Sequence, residues 1–291
     1  MSDQLKMNEY LVAFVDLLGF GKKVLAVKTD DDLKIIHDTV QFVHDTFGKN
    51  PKDQHDQYER DVSRRKILSL SDSLVIATAL NSPLSQIIGS FDNWCDEVHT
   101  LGINQAICAA NGIFLRGGLS KGQFYFAADV LLSQAQVNAY KIESKTAKYP
   151  VICLDEAAYK FFVTNKGNQN YADDINPTKS LFMQYEPENG KTQYCIDYIR
   201  IGAGAGYDEF TATDKKEWRE SPTDLRDQVR ENIALRNAKK FFIWHKQAIE
   251  YEINLNKDNA DEGVIEKYLW LQKYHNNVAQ EWFPGDTDCI I

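Results

Sequence analysis

The sequence predicts a mixed α/β (α+β) fold that ends in a pair of long helices. Short apolar runs, such as residues 9–18, have the length and the abrupt ends of buried strands. Other segments, such as residues 30–47, repeat their apolar residues with the period of an amphipathic helix. After about residue 203 the composition becomes more charged, which indicates a helical appendage.

The N-terminal elements follow from apolar spacing and capping residues. A strand is predicted at 9–18, where the apolar run stops at an acid and a glycine turn. A polar loop is predicted at 48–63, which is rich in Lys, Asp and Gln. Between them, residues 30–47 predict a helix, because Thr29 and the three acids after it suit a helix N-terminus. The apolar residues on one face of this helix are Leu33, Ile36, Val40, Val43 and Phe47.

The middle of the chain returns to strands and helices. Two strands, 65–71 and 73–80, are predicted on either side of Asp72. A long helix over 82–110 begins after Asn81-Ser-Pro and ends near a glycine. The later elements are predicted in this order: a strand at 113–126, a helix at 128–147, a short strand at 149–154, a helix near 155–164, and a hairpin of 180–186 with 192–201 that turns around Glu188-Asn-Gly190.

The C-terminal part is predicted to be helical. Gly202-Ala-Gly-Ala-Gly206 predicts a flexible joint, so we place the main domain at 1–203 and an appendage at 204–291. Two helices, 222–254 and 262–281, make an αα-hairpin. An αα-hairpin is too small for a catalytic domain, so a packing or dimerisation role is expected.

Composition limits the function classes. The chain has 291 residues, 43% hydrophobic content and a net charge of −9, which argues against a nucleic-acid-binding surface. Neither a signal pattern nor a run of about 18 apolar residues is present. We therefore expect a soluble cytoplasmic protein without membrane partners. Five scattered cysteines without metal-ligand spacing agree with free cytosolic thiols: Cys95, Cys108, Cys153, Cys195 and Cys289.

Two acids lie in matching apolar settings. Asp16 ends the first predicted strand, and Asp72 lies between two short apolar runs at Ser-Asp-Ser. A buried carboxylate needs a compensating partner, and two carboxylates together with substrate phosphates commonly hold Mg²⁺. The alternative, that one or both acids are solvated turn residues or helix caps, stays open on the pattern alone.

Four motifs, in order, resemble those of the class III nucleotidyl cyclases over residues 9–200. They are Phe14-Val-Asp-Leu-Leu-Gly-Phe20, Ser71-Asp72, Arg116-Gly-Gly-Leu-Ser-Lys-Gly122 and Ala139-Tyr-Lys-Ile-Glu143. Each motif alone is weak, but four in this order are fairly specific. The resemblance implies a ferredoxin-like domain with a central, mostly antiparallel sheet flanked by helices.

The match is nearest to the pyrimidine cyclases of bacterial Pycsar antiphage systems, which also share a late Lys267-Tyr-Leu-Trp-Leu-Gln-Lys-Tyr-His-Asn276 segment. This resemblance implies cyclisation of UTP or CTP with release of pyrophosphate, a head-to-tail homodimer with shared active sites, and an effector that senses the cyclic nucleotide. Two rivals remain: an ordinary adenylate or guanylate cyclase, and a degenerate cyclase-fold module that binds a nucleotide without turnover.

The resemblance also implies roles for individual residues. Asp16 and Asp72 would hold two Mg²⁺ or Mn²⁺ ions, with the backbone carbonyl of Leu17 as a further ligand. The backbone of Gly19-Phe20-Gly21 would approach the β- and γ-phosphates. Arg116 would be a fork for phosphate oxygens, and its alternative is a structural salt bridge.

Some positions depart from the family pattern. Lys141 stands where the family has a transition-state arginine, which keeps the charge but loses the bidentate fork; its alternative is a solvated helix residue. Leu68 lies near the position of a lysine that contacts adenine in purine cyclases, and Val137 replaces an asparagine, with Asn138 one place away. The loss of these polar groups argues against ATP but does not separate UTP from CTP.

Overall fold

The computed structural model of the chain describes residues 7–49, 53–127, 129–165, 180–186, 190–205, 211–257 and 262–291. The chain divides into two compact units. The first runs to Leu101 and resumes over Ile113–Ile196; the second comprises Gly102–Gly112 and Asp197–Ile291. The domain boundary expected at residue 203 stays a prediction. No helix in the described ranges is both long and apolar enough to cross a membrane.

The first unit is built on one eight-stranded sheet in the order β2-β3-β1-β4-β6-β8-β7, with β5 paired to β4. Every pairing is antiparallel except that of β4 with β6. The strands are β1 (Asn8–Leu17), β2 (Lys66–Leu70), β3 (Ser73–Ala79), β4 (Leu115–Ala127), β5 (Val130–Ser133), β6 (Ile152–Leu154), β7 (Phe182–Tyr185) and β8 (Gln193–Ile196). The first four have the order and directions of a split β-α-β-β-α-β unit, so the predicted ferredoxin-like topology is confirmed.

Helices cover both faces of this sheet, as predicted. Ala77 of β3 packs in a cluster with Ala135 and Ala139 of helix α6. Thr78, the next residue, faces the other way and donates a hydrogen bond to Glu97 of helix α5. The helices that belong to or begin in this unit are α1 (Phe20–Leu25), α2 (Asp30–Thr46), α3 (Gln54–Ser63), α4 (Pro83–Ile88), α5 (Ser90–Ala110), α6 (Gln134–Lys145) and α7 (Glu156–Thr164).

Local capping explains where the helices differ from prediction. The capping box of Thr29 with Asp32 starts α2 as expected. The predicted loop at 48–63 is wrong over its second half, because Asp53 caps α3 by accepting from two backbone N–H groups. The predicted helix at 82–110 is two helices, since Gly89 ends α4 with a φ of 99°.

Two strand assignments are also corrected. The first residues of the predicted helix at 128–147 form β5, which pairs with β4, and α6 begins only after the Ser133 cap. The predicted strand at 192–201 ends at Ile196, because Asp197 caps a helix over Tyr198–Gly204. The hairpin of β7 with β8 is confirmed, while Glu188 and Asn189 of its predicted turn lie outside the described residues.

The second unit contains the predicted αα-hairpin. Its helices after α7 are α8 (Tyr198–Gly204), α9 (Ala212–Glu220), α10 (Arg226–Asn256) and α11 (Glu262–Trp282). The predicted flexible joint is wrong at Gly202, which lies within α8 so tightly packed that a Cβ atom would meet Ala106 at 2.5 Å. Gly206 lies outside the described residues.

A buried polar chain links α8, α10 and α11. Tyr198 contacts His245 at 3.1 Å, His245 contacts His275 at 2.8 Å, and His275 lies 2.7 Å from the carbonyl of Cys289. That carbonyl can only accept, so His275 Nε2 carries a proton; with both rings neutral, His245 donates through Nδ1 and Tyr198 donates to His245. The histidine of the Tyr-His-Asn motif therefore stabilises this unit.

Candidate active site

The two predicted metal ligands lie together at the end of the central strand. Asp16 is directly opposite Ser73 in β3, and the Ser73 hydroxyl donates to Asp16 Oδ1 at 2.9 Å. Asp72 precedes Ser73, in the two-residue turn between β2 and β3. The turn places Ser71 at a φ of 62°, in the left-handed region that tight hairpin turns use. Asp72 is therefore held next to Asp16 by one tight hairpin.

The electrostatics of this acid pair favour a bound cation. Burial raises the pKa of the Asp16 carboxyl, and the hydrogen bond from Ser73 opposes that shift. The negative charge of Asp72 raises the pKa of Asp16 further. The charge of Arg116 offsets only one of these two like charges, and the oxygen donors of two partly buried carboxylates suit Mg²⁺ or Mn²⁺. These residues therefore fit the predicted metals.

The acid pair is not a complete protein cage. Among the described residues no group of three or more His, Cys, Asp or Glu side chains is arranged to hold a metal ion. A site with two carboxylates leaves coordination positions for water and substrate phosphates, as is usual for Mg²⁺. Leu17 is buried beside Asp16 at the end of β1, and the ligand role of its carbonyl stays a prediction.

Arg116 joins this site from the neighbouring strand. It lies opposite Asp16 in β4, and its Nη2 atom is 3.7 Å from Asp16 Oδ2. Its Nε atom is 2.6 Å from Oε1 of Glu143, a residue of α6 whose side chain is only 4% exposed. The geometry is thus compatible with both predicted roles of Arg116. It forms a structural ion pair, and its remaining N–H groups can still contact an anion such as a phosphate.

The two glycines after Arg116 allow β4 to pack closely against β1 and α6. A Cβ atom on Gly117 would lie 2.5 Å from the carbonyl oxygen of Phe14, and one on Gly118 would lie 2.1 Å from that of Ala139. Side chains at these positions would separate β4 from β1 and from α6. The Arg-Gly-Gly segment therefore packs the strand that carries Arg116 against the helix that carries Glu143.

The predicted phosphate segment lies just after Asp16. Gly19 has a φ of 75° and immediately precedes α1, whose first residues are Phe20 and Gly21. Left-handed backbone at this point favours glycine and turns the chain from β1 into the helix. Contact of this segment with phosphates stays a prediction.

Lys141, and the two positions predicted to lie near the substrate base, do not lie among Asp16, Asp72 and Arg116. Lys141 and Val137 lie on the exposed side of α6, whereas Glu143 points inward to Arg116. Lys141 forms no ion pair with Asp16, Asp72 or Glu143. Leu68 packs beside the core cluster on the same sheet face as α6. One chain thus brings together Asp16, Asp72 and Arg116, and leaves Lys141 facing outward.

Sequence reasoning missed two residues of the site. Ser73, which holds Asp16, is the second serine of Ser-Asp-Ser. Glu143, which contacts Arg116, ends the fourth motif but received no role. Burial raises the pKa of Glu143, and the charge of Arg116 opposes this shift. The available signal was a glutamate at the end of a motif on a predicted helix; its partner follows only from the approach of α6 to the Arg-Gly-Gly strand.

Comparisons with known proteins give structural matches only. No protein-family model and no curated protein matches the chain. A bacterial light-regulated adenylyl cyclase matches with 11% identity and a TM-score of 0.40, over 66% of this chain and 92% of that one. A second structure with that description gives 12% identity and a TM-score of 0.37, over 80% and 57% of the two chains. The guanylyl cyclase Cya2 gives 9% identity and a TM-score of 0.35, over 66% and 93%. At this low similarity the matches carry no conclusion about substrate or activity, which must be inferred from the residues of the site.

Proposed function

We propose that this chain is a nucleotidyl cyclase that converts a nucleoside triphosphate to its 3′,5′-cyclic monophosphate and pyrophosphate. The observation that carries the proposal is the convergence of Asp16, Asp72 and Arg116 at the end of the central strand. A partly buried pair of acids beside an arginine suits cations that in turn bind a triphosphate. These residues lie in the first three of the four sequence motifs that resemble those of the class III cyclases.

The reaction assigns a task to each residue. The ribose 3′-oxygen attacks the α-phosphorus, the bond to pyrophosphate breaks, and the 3′-hydroxyl proton leaves to solvent. Bound Mg²⁺ or Mn²⁺ would lower the pKa of the 3′-hydroxyl and offset triphosphate charge. Asp16 and Asp72 would hold these ions, Ser73 orients Asp16, and Arg116 offers donors to phosphate oxygens.

The active enzyme is proposed to be a homodimer with shared sites. Lys141 faces outward from the chain that carries it, which supports a role for it in the site of a second chain. Its ammonium would offset charge that develops on the α-phosphate. Gly19, Phe20 and Gly21 would contact the outer phosphates through their backbone.

The finer assignment is to a pyrimidine cyclase of bacterial antiphage defence. Leu68 and Val137 lack the polar groups that read a purine, which supports UTP or CTP as substrate. The sequence motifs further support a cytoplasmic enzyme whose cyclic product acts on a separate effector. A purine cyclase and a nucleotide-binding module without turnover remain the rivals.

Product formation from each of the four labelled nucleoside triphosphates, with Mn²⁺, tests this function. We expect a cyclic pyrimidine product from the wild type and at least a hundredfold less from Asp72→Asn. Asp45→Asn, which changes an exposed acid of α2, is the matched control. Equal turnover of ATP or GTP would favour the purine rival. Nucleotide binding without any cyclic product would favour the binding module.

A further inference from the structure

Arg116 lies between acids from two different elements. Asp16 on β1 faces its Nη2 atom, and Glu143 on α6 faces its Nε atom. Asp72 adds a third negative charge nearby, so the cluster has three acids and one arginine. Without a cation, Arg116 is the positive charge that balances Asp16.

Glu143 is set apart from the other two acids by its burial. Its side chain is 4% exposed, whereas that of Asp16 is 18% exposed and Asp72 is half-buried. Ligand access to its carboxylate is limited by Arg116 on one side and by the packing of α6 on β4. Glu143 is thus poorly placed to be a third metal ligand, and its partner is the guanidinium.

The contact between Glu143 and Arg116 is a close ion pair. Arg116 Nε and Glu143 Oε1 are 2.6 Å apart. This ion pair keeps the guanidinium near Glu143. The other N–H groups of an arginine remain available for an oxygen acceptor.

We propose that Glu143 is a positioning residue that holds Arg116 beside Asp16 and directs its outer N–H groups to the substrate triphosphate when cations bind. The inference rests on the proposed function. Glu143 contributes in two ways: its charge offsets that of Arg116 at the metal site, and its attraction stops Arg116 from closing fully onto Asp16. Partners of metal ligands commonly affect metal affinity by about 10–100-fold.

The test uses Mn²⁺ affinity of the full chain, measured by electron paramagnetic resonance titration without nucleotide. The three acids and Arg116 have a formal charge of −2, which Glu143→Gln makes less negative, at −1. We therefore expect about tenfold weaker Mn²⁺ binding. The matched control is Glu9→Gln, which removes another ion pair between β1 and β4, with Lys121 at 2.6 Å. We expect this control to bind Mn²⁺ like the wild type.

A double variant separates positioning from folding. Glu143→Gln with Arg116→Met restores the cluster charge to −2 and removes both charges of the Arg116–Glu143 pair, so neither is left without its partner and the double variant should fold even if the single variant does not. We expect near-wild-type Mn²⁺ affinity but a KM for the nucleotide raised about tenfold, because the arginine is missing. Circular dichroism checks the fold of each variant.

Wild-type Mn²⁺ affinity in folded Glu143→Gln would overturn the inference, and so would a double variant that binds Mn²⁺ about tenfold more weakly than the wild type. A wild-type protein that binds no Mn²⁺ overturns it as well. A protein that shows the expected order of Mn²⁺ affinities but cyclises none of the four nucleotides keeps Glu143 in this role towards the cation. That result would remove the proposed reaction.

Discussion

Replacement of Gly118 by alanine is expected to displace helix α6 from the sheet. A Cβ atom there would lie 2.1 Å from the carbonyl oxygen of Ala139 and 2.8 Å from Cβ of Ile142, whereas ordinary contact begins near 3.4 Å. Both atoms belong to α6, so the helix must move by more than 1 Å. Overpacking typically costs about 1–3 kcal/mol, and a backbone atom cannot rotate away, so we expect about 3 kcal/mol for Gly118→Ala.

The same displacement should reduce catalysis, because α6 carries both Glu143 and Lys141. A shift of about 1 Å in a positioned group can lower turnover by about a hundredfold. Gly122→Ala is the matched control on the same strand and face, since its nearest contact would be 3.5 Å from Cβ of Ala135. The assays are urea denaturation and product formation. If Gly118→Ala has the stability and turnover of Gly122→Ala, the packing argument is wrong.

Three further predictions concern the metal, the assembly and pH. Asp16→Asn should abolish the rise in melting temperature that Mn²⁺ gives the wild type, because it removes a charged ligand; a shift of wild-type size would exclude Asp16 as a ligand. Asp16→Ala and Lys141→Ala proteins should each be nearly inactive. After subunit exchange, half of the dimers in an equal mixture would have one intact site of two, so the mixture should recover about a quarter of wild-type activity. No recovery after confirmed subunit exchange would contradict shared sites. Burial lowers the pKa of the His275 imidazole to about 4 in the folded chain, from about 6.5 in the unfolded chain. As the pH falls, the unfolded chain therefore binds a proton at His275 before the folded chain does. The free energy of unfolding should decrease as the pH drops from 6.5 towards 4, by about 2 kcal/mol at pH 5. Urea denaturation at pH 7.5 and 5 measures this loss, which should be smaller in His275→Gln; an equal loss in both proteins would exclude His275 as its source.

The sequence was most informative where apolar runs stop at a polar residue. Asp16 and Asp72 were predicted to lie at a strand end or turn, and the sheet brings Asp16 of β1 next to Ser73, which follows Asp72 in the β2–β3 hairpin. The ferredoxin-like topology was implied by motif order and is confirmed by strand order. Local patterns sufficed here because β1 and β3 are mostly apolar and mostly buried along their length.

Other features depended on tertiary contacts that a local pattern does not contain. Residues 54–63 are polar on most sides, so their helix carried no clear apolar period, and only the Asp53 cap indicated it. The short strand β5 has the composition of a helix start and is fixed by pairing with β4. Glu143 could not be paired with Arg116 without knowing that Gly118 lets α6 approach the strand.

The register of the central strand has a consequence for how the site appears during folding. Asp16 is aligned with Ser73 on one side and with Arg116 on the other, and a slip of one residue would turn its side chain to the opposite face. Amide hydrogens of β1 are therefore expected to exchange only with global opening, while those of the Ser71-Asp72 turn exchange through local fraying. Partly folded chains that lack this register would hold no cation and turn over no nucleotide, so activity should appear only with the complete sheet.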